Sequence, residues 1–133
     1  MKVFLPAAGL FAFISLLLSA LGAHYYSHMM TLEDYGNFDI AVHFQLIHSI
    51  ALMALGLFGF VTRKSFRLLV LSGYLIILGI IFFAGNIYLT TIFHITTTKI
   101  LTPIGGAVII LAWAIICVAG VYYYFRAVHA HDY

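Results

Sequence analysis

The chain has 133 residues, 65% of them hydrophobic and only 8% charged, with a mean hydropathy of +1.13, whereas soluble domains carry roughly 25% charged residues. This balance excludes a soluble catalytic module and points to an integral membrane protein of the all-α class. The net charge of +2 comes from residues beside apolar runs and gives no surface suited to nucleic acid.

Between Lys2, Glu33, Asp39, Arg63, Arg67, Lys99 and Arg126 lie four apolar stretches, each long enough for the ~20 residues of a membrane-spanning helix. They are placed near 4–23, 40–62, 68–92 and 101–125, so 1–133 reads as a single integral membrane domain, a polytopic four-helix transmembrane bundle. Met1-Lys2, an apolar run and Ala20-Leu21-Gly22-Ala23 also have the parts of a secretory signal. The run is long enough to span, however, and is read as a retained first helix. Ala8, Ala12, Ser15, Ser19 and Gly22 follow spacings of four and three along it, a stripe on which another helix packs closely.

From His24 to Asp39 the chain holds Tyr25, Tyr26, His28, Glu33, Asp34 and Tyr35 but no Lys or Arg. Lys2, Arg63, Lys64, Arg67 and Arg126 fall on one side of the predicted spans and only Lys99 on the other. The excess of basic residues makes the first side cytoplasmic, so both termini are expected inside (N-in/C-in). His24–Asp39 and Phe93–Lys99 are expected outside.

On the second helix Gln45, His48, Leu52, Gly56 and Gly59 share a face, and His43 lies ~140–160° away from the polar pair. Ser72, Gly79, Phe83, Asn86 and Thr90 share a face on the third. With ~1.5 Å rise per residue, Gln45 and Asn86 both fall roughly 9 Å deep, and Gly105 and Gly106 slightly shallower. Pro103 suits the first turn of the fourth helix, along which Gly105, Ala112 and Ala119 form a heptad-spaced seam. The lone cysteine, Cys117, leaves no disulfide or thiolate metal site within one chain and reads as a small buried residue. Tyr122 to Phe125 with Arg126 read as an interfacial anchor, and His129-Ala130-His131-Asp132 as a solvated tail.

Gly22-Ala23-His24, Phe44-Gln45-x-x-His48, Leu78-Gly79 through Phe83-Ala84-Gly85-Asn86-x-Tyr88, and Thr102-Pro103-Ile104-Gly105-Gly106 with Ala112-Trp113 form a pattern covering all four spans. It resembles the YgdD/YwdK family of small inner-membrane proteins, the domain of unknown function 423. The resemblance implies a multi-pass protein of the inner membrane, built as a four-helix bundle, with unassigned function. The chain departs from the family pattern at Ser19 and Ala84, where Gly and Ser are expected, at Asn86, where Ser is expected, and at Phe44, where Tyr is frequent.

Gln45 and Asn86 can satisfy each other across helices, or line a small pocket with His48, Tyr88, Gly105 and Gly106 for a lipid headgroup, a quinone-like molecule or a partner helix. His48, some 13 Å deep by the same rise, suits a neutral imidazole donating to a backbone carbonyl. A metal or haem there needs a second ligand at that depth, from a symmetric copy. His24 and His28, four apart near Glu33, Asp34 and Asp39, have spacing suited to Zn or Cu if the first helix continues outward; metal and haem remain the alternative expectation. Ser49 and His48 point ~100° apart and make no nucleophile and base. No carboxylate falls within the predicted spans. The expected role is therefore that of a non-enzymatic accessory or scaffold subunit without a cofactor, in contact with membrane lipids and with a membrane partner or a second copy.

Overall fold

The computed structural model describes residues 1–63 and 66–129, with side chains through residue 123. The expectations for Lys64, for the side chains of Tyr124, Phe125, Arg126 and His129, and for the tail from residue 130 to 132 fall outside that description. Helix α1 runs Phe4–His24, and a 3-10 turn follows at Tyr26–His28. Helix α2 is Leu32–Thr62, α3 is Arg67–Ile80, α4 is Asn86–Ile92 and α5 is Leu101–His129. A π-type turn at Ile81–Gly85 joins α3 to α4 as one rod. Among the described residues four helices are long and apolar enough to cross a membrane: Phe4–His24, Leu32–Thr62, Arg67–Ile92 and Leu101–Tyr123.

Helix α2 starts eight residues before the expected 40, and the reason is local. The Thr31 side chain accepts the Asp34 amide at 3.1 Å, and its hydroxyl donates to the Asp34 carboxylate at 2.9 Å. This is an N-cap, and it places Glu33 and Asp34 in the first turn, where the helix dipole favours negative charge. The 31-residue helix measures about 46 Å, against a hydrocarbon core of about 30 Å. Its first turns are therefore left beyond the apolar layer. They carry Glu33, Asp34 and Asp39, whose polarity in the sequence suits a connection.

Neighbouring helices pair in antiparallel fashion, α1 on α2 and the α3–α4 rod on α5. The small stripe of α1 narrows to heptad spacing, with Ala8, Ser15 and Gly22 buried, Ala12 half-buried and Ser19 exposed. Gly105, Ala112 and Ala119 are all buried, as the seam on α5 requires. At Gly56 a Cβ would lie 2.9 Å from the backbone nitrogen of Leu5, so glycine is what lets α1 begin against α2. Phe4, Ala8, Leu52, Leu55, Ile76, Ile80, Ile109 and Ala112 form the main core. A smaller core of Ala41, Ala84 and Ile87 lies nearer the α1–α2 connection.

The π-type turn shifts the buried face of the third span. Such a turn accommodates one extra residue, so each later side chain takes the place its predecessor would have had. Ala84, Ile87 and Thr91 are accordingly buried, while Phe83 and Thr90, expected on the face, are half-buried and Asn86 stays buried beside Ile87. Cys117 is exposed rather than buried. It lies off the inward heptad of Ala112 and Ala119, where a thiol meets lipid without penalty.

Candidate functional site

Gln45 and Asn86 are each almost fully buried, at 3% and 2% exposure, but their hydrogen bonds run to different helices. The Gln45 amide donates from Nε2 to the Phe11 carbonyl of α1 at 2.7 Å. The Asn86 amide donates from Nδ2 to the Thr102 hydroxyl of α5, also at 2.7 Å. The expected bond between the two amides is thus replaced by two separate ties. The physical reason is azimuth: residues at one depth meet only if their helix faces turn toward each other, and these turn toward α1 and α5.

The tie from α2 to α1 is reciprocal. Ser15 of α1 donates to the Val42 carbonyl at 2.7 Å, one turn from where Gln45 donates back. One amide and one hydroxyl thus tie the two helices, while Ser49 donates within α2 to the Gln45 carbonyl at 2.6 Å. Helical spacing places Ser15 in a packing stripe and does not reveal its role as a donor. The signal was a hydroxyl at a buried heptad position, which needs an acceptor in an apolar interior. Thr102 was missed in the same way, beside the more conspicuous Pro103.

His48 is 8% exposed, and its Nδ1 lies 2.7 Å from the Phe44 carbonyl, so Nδ1 carries the proton and donates. The ring packs on Phe44, with centroids 4.2 Å apart, and the Trp113 ring lies edge-on at 6.3 Å. Phe44 in turn stacks on Phe83 at 4.0 Å. This is the imidazole-to-carbonyl bond expected of His48.

Tyr88 packs its ring on Phe38, with centroids 5.7 Å apart. Its hydroxyl and the Oδ1 of Asn86 are buried without a hydrogen-bond partner. Gly105 seats α5 against the π-type turn: a Cβ there would collide with the Phe83 nitrogen and lie 2.9 Å from the Phe82 carbonyl carbon. Gly106 is different, because a Cβ would make only ordinary contact with the Phe83 ring, at 3.8 Å.

The histidine pair near the α1–α2 connection lacks the helical continuation that the alternative metal site requires. Helix α1 ends at His24, Tyr25 leaves helical geometry at φ −122° and ψ −57°, and His28 falls in the 3-10 turn. Their i,i+4 relation therefore no longer places them on one helix face, and both are exposed. His43, off the polar face as expected, is exposed and sits 3.4 Å from the Asp39 carboxylate. Among the described residues no three His, Cys, Asp or Glu side chains come together as a metal site requires, so the metal or haem alternative with His24, His28 or His48 is not favoured.

Comparison with known proteins agrees with this architecture. Residues 18–106, about two thirds of the chain, match the family described as "Protein of unknown function (DUF423)". The chain belongs to the DUF423 family. Among its relatives is the UPF0382 membrane protein YwdK of Bacillus subtilis, 30% identical over 92% of this chain and 99% of its own length. The UPF0382 inner membrane protein YgdD of Escherichia coli is 28% identical over 86% of each chain. The UPF0382 membrane protein SSP2132 of Staphylococcus saprophyticus is 28% identical over 89% of this chain and 96% of its own. No solved structure matches significantly. The DUF423 match takes in Gln45, His48, Asn86, Tyr88, Gly105 and Gly106, and the family's function is unassigned.

Proposed function

We propose that the chain is a non-enzymatic protein of the inner membrane, both termini cytoplasmic, that serves as an accessory or scaffold subunit for a membrane partner. One observation carries this reading: the polar side chains of the spans are bonded within the bundle. Ser15, Gln45, His48, Ser49 and Asn86 each donate to a carbonyl or hydroxyl of the chain itself. Catalysis needs such groups to converge on one reacting atom, whereas Ser15, Gln45 and Asn86 donate to neighbouring helices and His48 and Ser49 within their own. The unmet Asn86 carbonyl and Tyr88 hydroxyl are buried, so a partner meets the exposed apolar surface of the spans, such as Ile110 of α5. Placement in the inner membrane follows the name of the Escherichia coli relative.

The test is in-cell photo-crosslinking from Ile110, which is 72% exposed, followed by elemental analysis and a visible spectrum of untagged protein in mild detergent. The expected result is one protein adduct of constant mass, retained in Gln45→Met, from colourless protein without stoichiometric metal. Adducts with lipid alone would remove the partner from the proposal. Stoichiometric iron with a Soret band, or copper or zinc lost on substitution of His24, His28 or His48, would overturn it in favour of a cofactor protein.

A further inference from the structure

Where α1 begins and α2 stops, the chain forms a cleft of about 840 Å³. Lys2 and Arg63 line it at the helix ends, and Leu5, Gly56, Gly59 and Phe60 line it along the helices away from those ends. No acidic side chain lines it among the described residues. From Arg63 back to Gly56 the helix covers about 10 Å, so the lining changes from cationic to apolar over the dimension of a phosphoglycerol group and its first methylenes. The cleft is therefore amphiphilic along its length.

Arg63 adds a second observation. It closes α2 in the left-handed conformation, at φ 52°, which opposes every residue with a Cβ and is the usual place for glycine. Glycine would end the helix there without strain. The arginine that stands there brings a second cationic side chain to the cleft lining, beside that of Lys2.

We infer that this cleft is a binding site for an anionic phospholipid. Arg63 and Lys2 hold the phosphate, the guanidinium through paired N–H donors, and an acyl chain lies along Leu5, Gly56, Gly59 and Phe60. A zwitterionic lipid brings the same phosphate but adds a quaternary ammonium that the two cations repel, so the site selects by headgroup charge. The cleft lies at the end that the basic residues mark as cytoplasmic, facing a leaflet that carries negative surface potential.

Native mass spectrometry of the full chain in mild detergent tests this, with equimolar dioleoyl phosphatidylglycerol and dioleoyl phosphatidylcholine as probes. Two basic contacts correspond to a preference of about 30-fold for phosphatidylglycerol. Arg63→Gly is expected to reduce that preference about fivefold while raising the melting temperature, because it relieves the backbone strain. Lys2→Gln is expected to reduce it similarly, and Arg67→Gln, a basic residue outside the cleft lining, to leave it intact. Equal uptake of both lipids by the unmodified chain would overturn the inference, as would a preference unchanged in both cleft variants. Erosion by Arg67→Gln as large as by Arg63→Gly would reduce the effect to diffuse charge. Displacement of phosphatidylglycerol by excess inorganic phosphate would reduce the site to an anion site without a lipid.

Discussion

Asn86 brings both ends of an amide into a position that is 2% exposed and finds one partner, the Thr102 hydroxyl. Thr102→Val would leave the whole amide unpaired, whereas Asn86→Leu would remove the need for a partner. In denaturant unfolding from micelles, Thr102→Val should cost more than the ~0.6 kcal/mol average of hydrogen bonds between membrane helices. Adding Asn86→Leu to that background should cost less than it does in the unmodified chain. A double-mutant cycle with no coupling would show that the bond contributes nothing to stability. Both polar residues were legible in the sequence, since an amide inside an apolar run is conspicuous. Their partners were not. Depth follows from the rise per residue, but which neighbour an amide faces depends on azimuth and on the order of helices around the bundle, which the spacing of one chain does not carry.

At the scale of elements, the contact of α5 with the π-type turn rests on Gly105 rather than on the Gly105-Gly106 pair. Gly105→Ala drives a Cβ into the backbone of Phe82 and Phe83 and should cost about 1–3 kcal/mol, as overpacking does. Gly106→Ala should stay within about 0.5 kcal/mol, because its Cβ meets only a ring at ordinary distance. Equal effects in thermal unfolding would refute that distinction. Adjacent glycines look alike in a sequence, and only the partner helix separates them. The start of α2 was obscured for a different reason: the polarity of residues 24–39 outweighed the capping chemistry of Thr31 and Asp34 that the same stretch carries. The π-type turn left even less trace. Small and apolar residues fill positions on both sides of the shift, so the alternation around Ala84 and Thr91 fits either register.

For the whole molecule, span number and antiparallel order were readable from apolar run lengths, and orientation from the placement of a few basic residues. Orientation is open to a direct check in a Cys117→Ser background, which removes the exposed native thiol. Gly36→Cys, at an exposed site where a Cβ has nothing within 4 Å, should react with a membrane-impermeant maleimide in intact cells. Lys2→Cys should react only after the membrane is opened. The reverse pattern would invert the topology and move the basic cleft to the other leaflet.

The pairing of α1 with α2 also bears on how such a protein is made. The reciprocal ties of Ser15 to Val42 and Gln45 to Phe11 lie wholly within the first 63 residues, so a nascent chain has the complete first hairpin before the second leaves the ribosome. Its buried polar groups already have acceptors in hand when the hairpin partitions into lipid. The later helices then dock on a preformed platform, with Phe4 already in place to receive Gly73 and Tyr74, and the order of synthesis becomes the order of assembly.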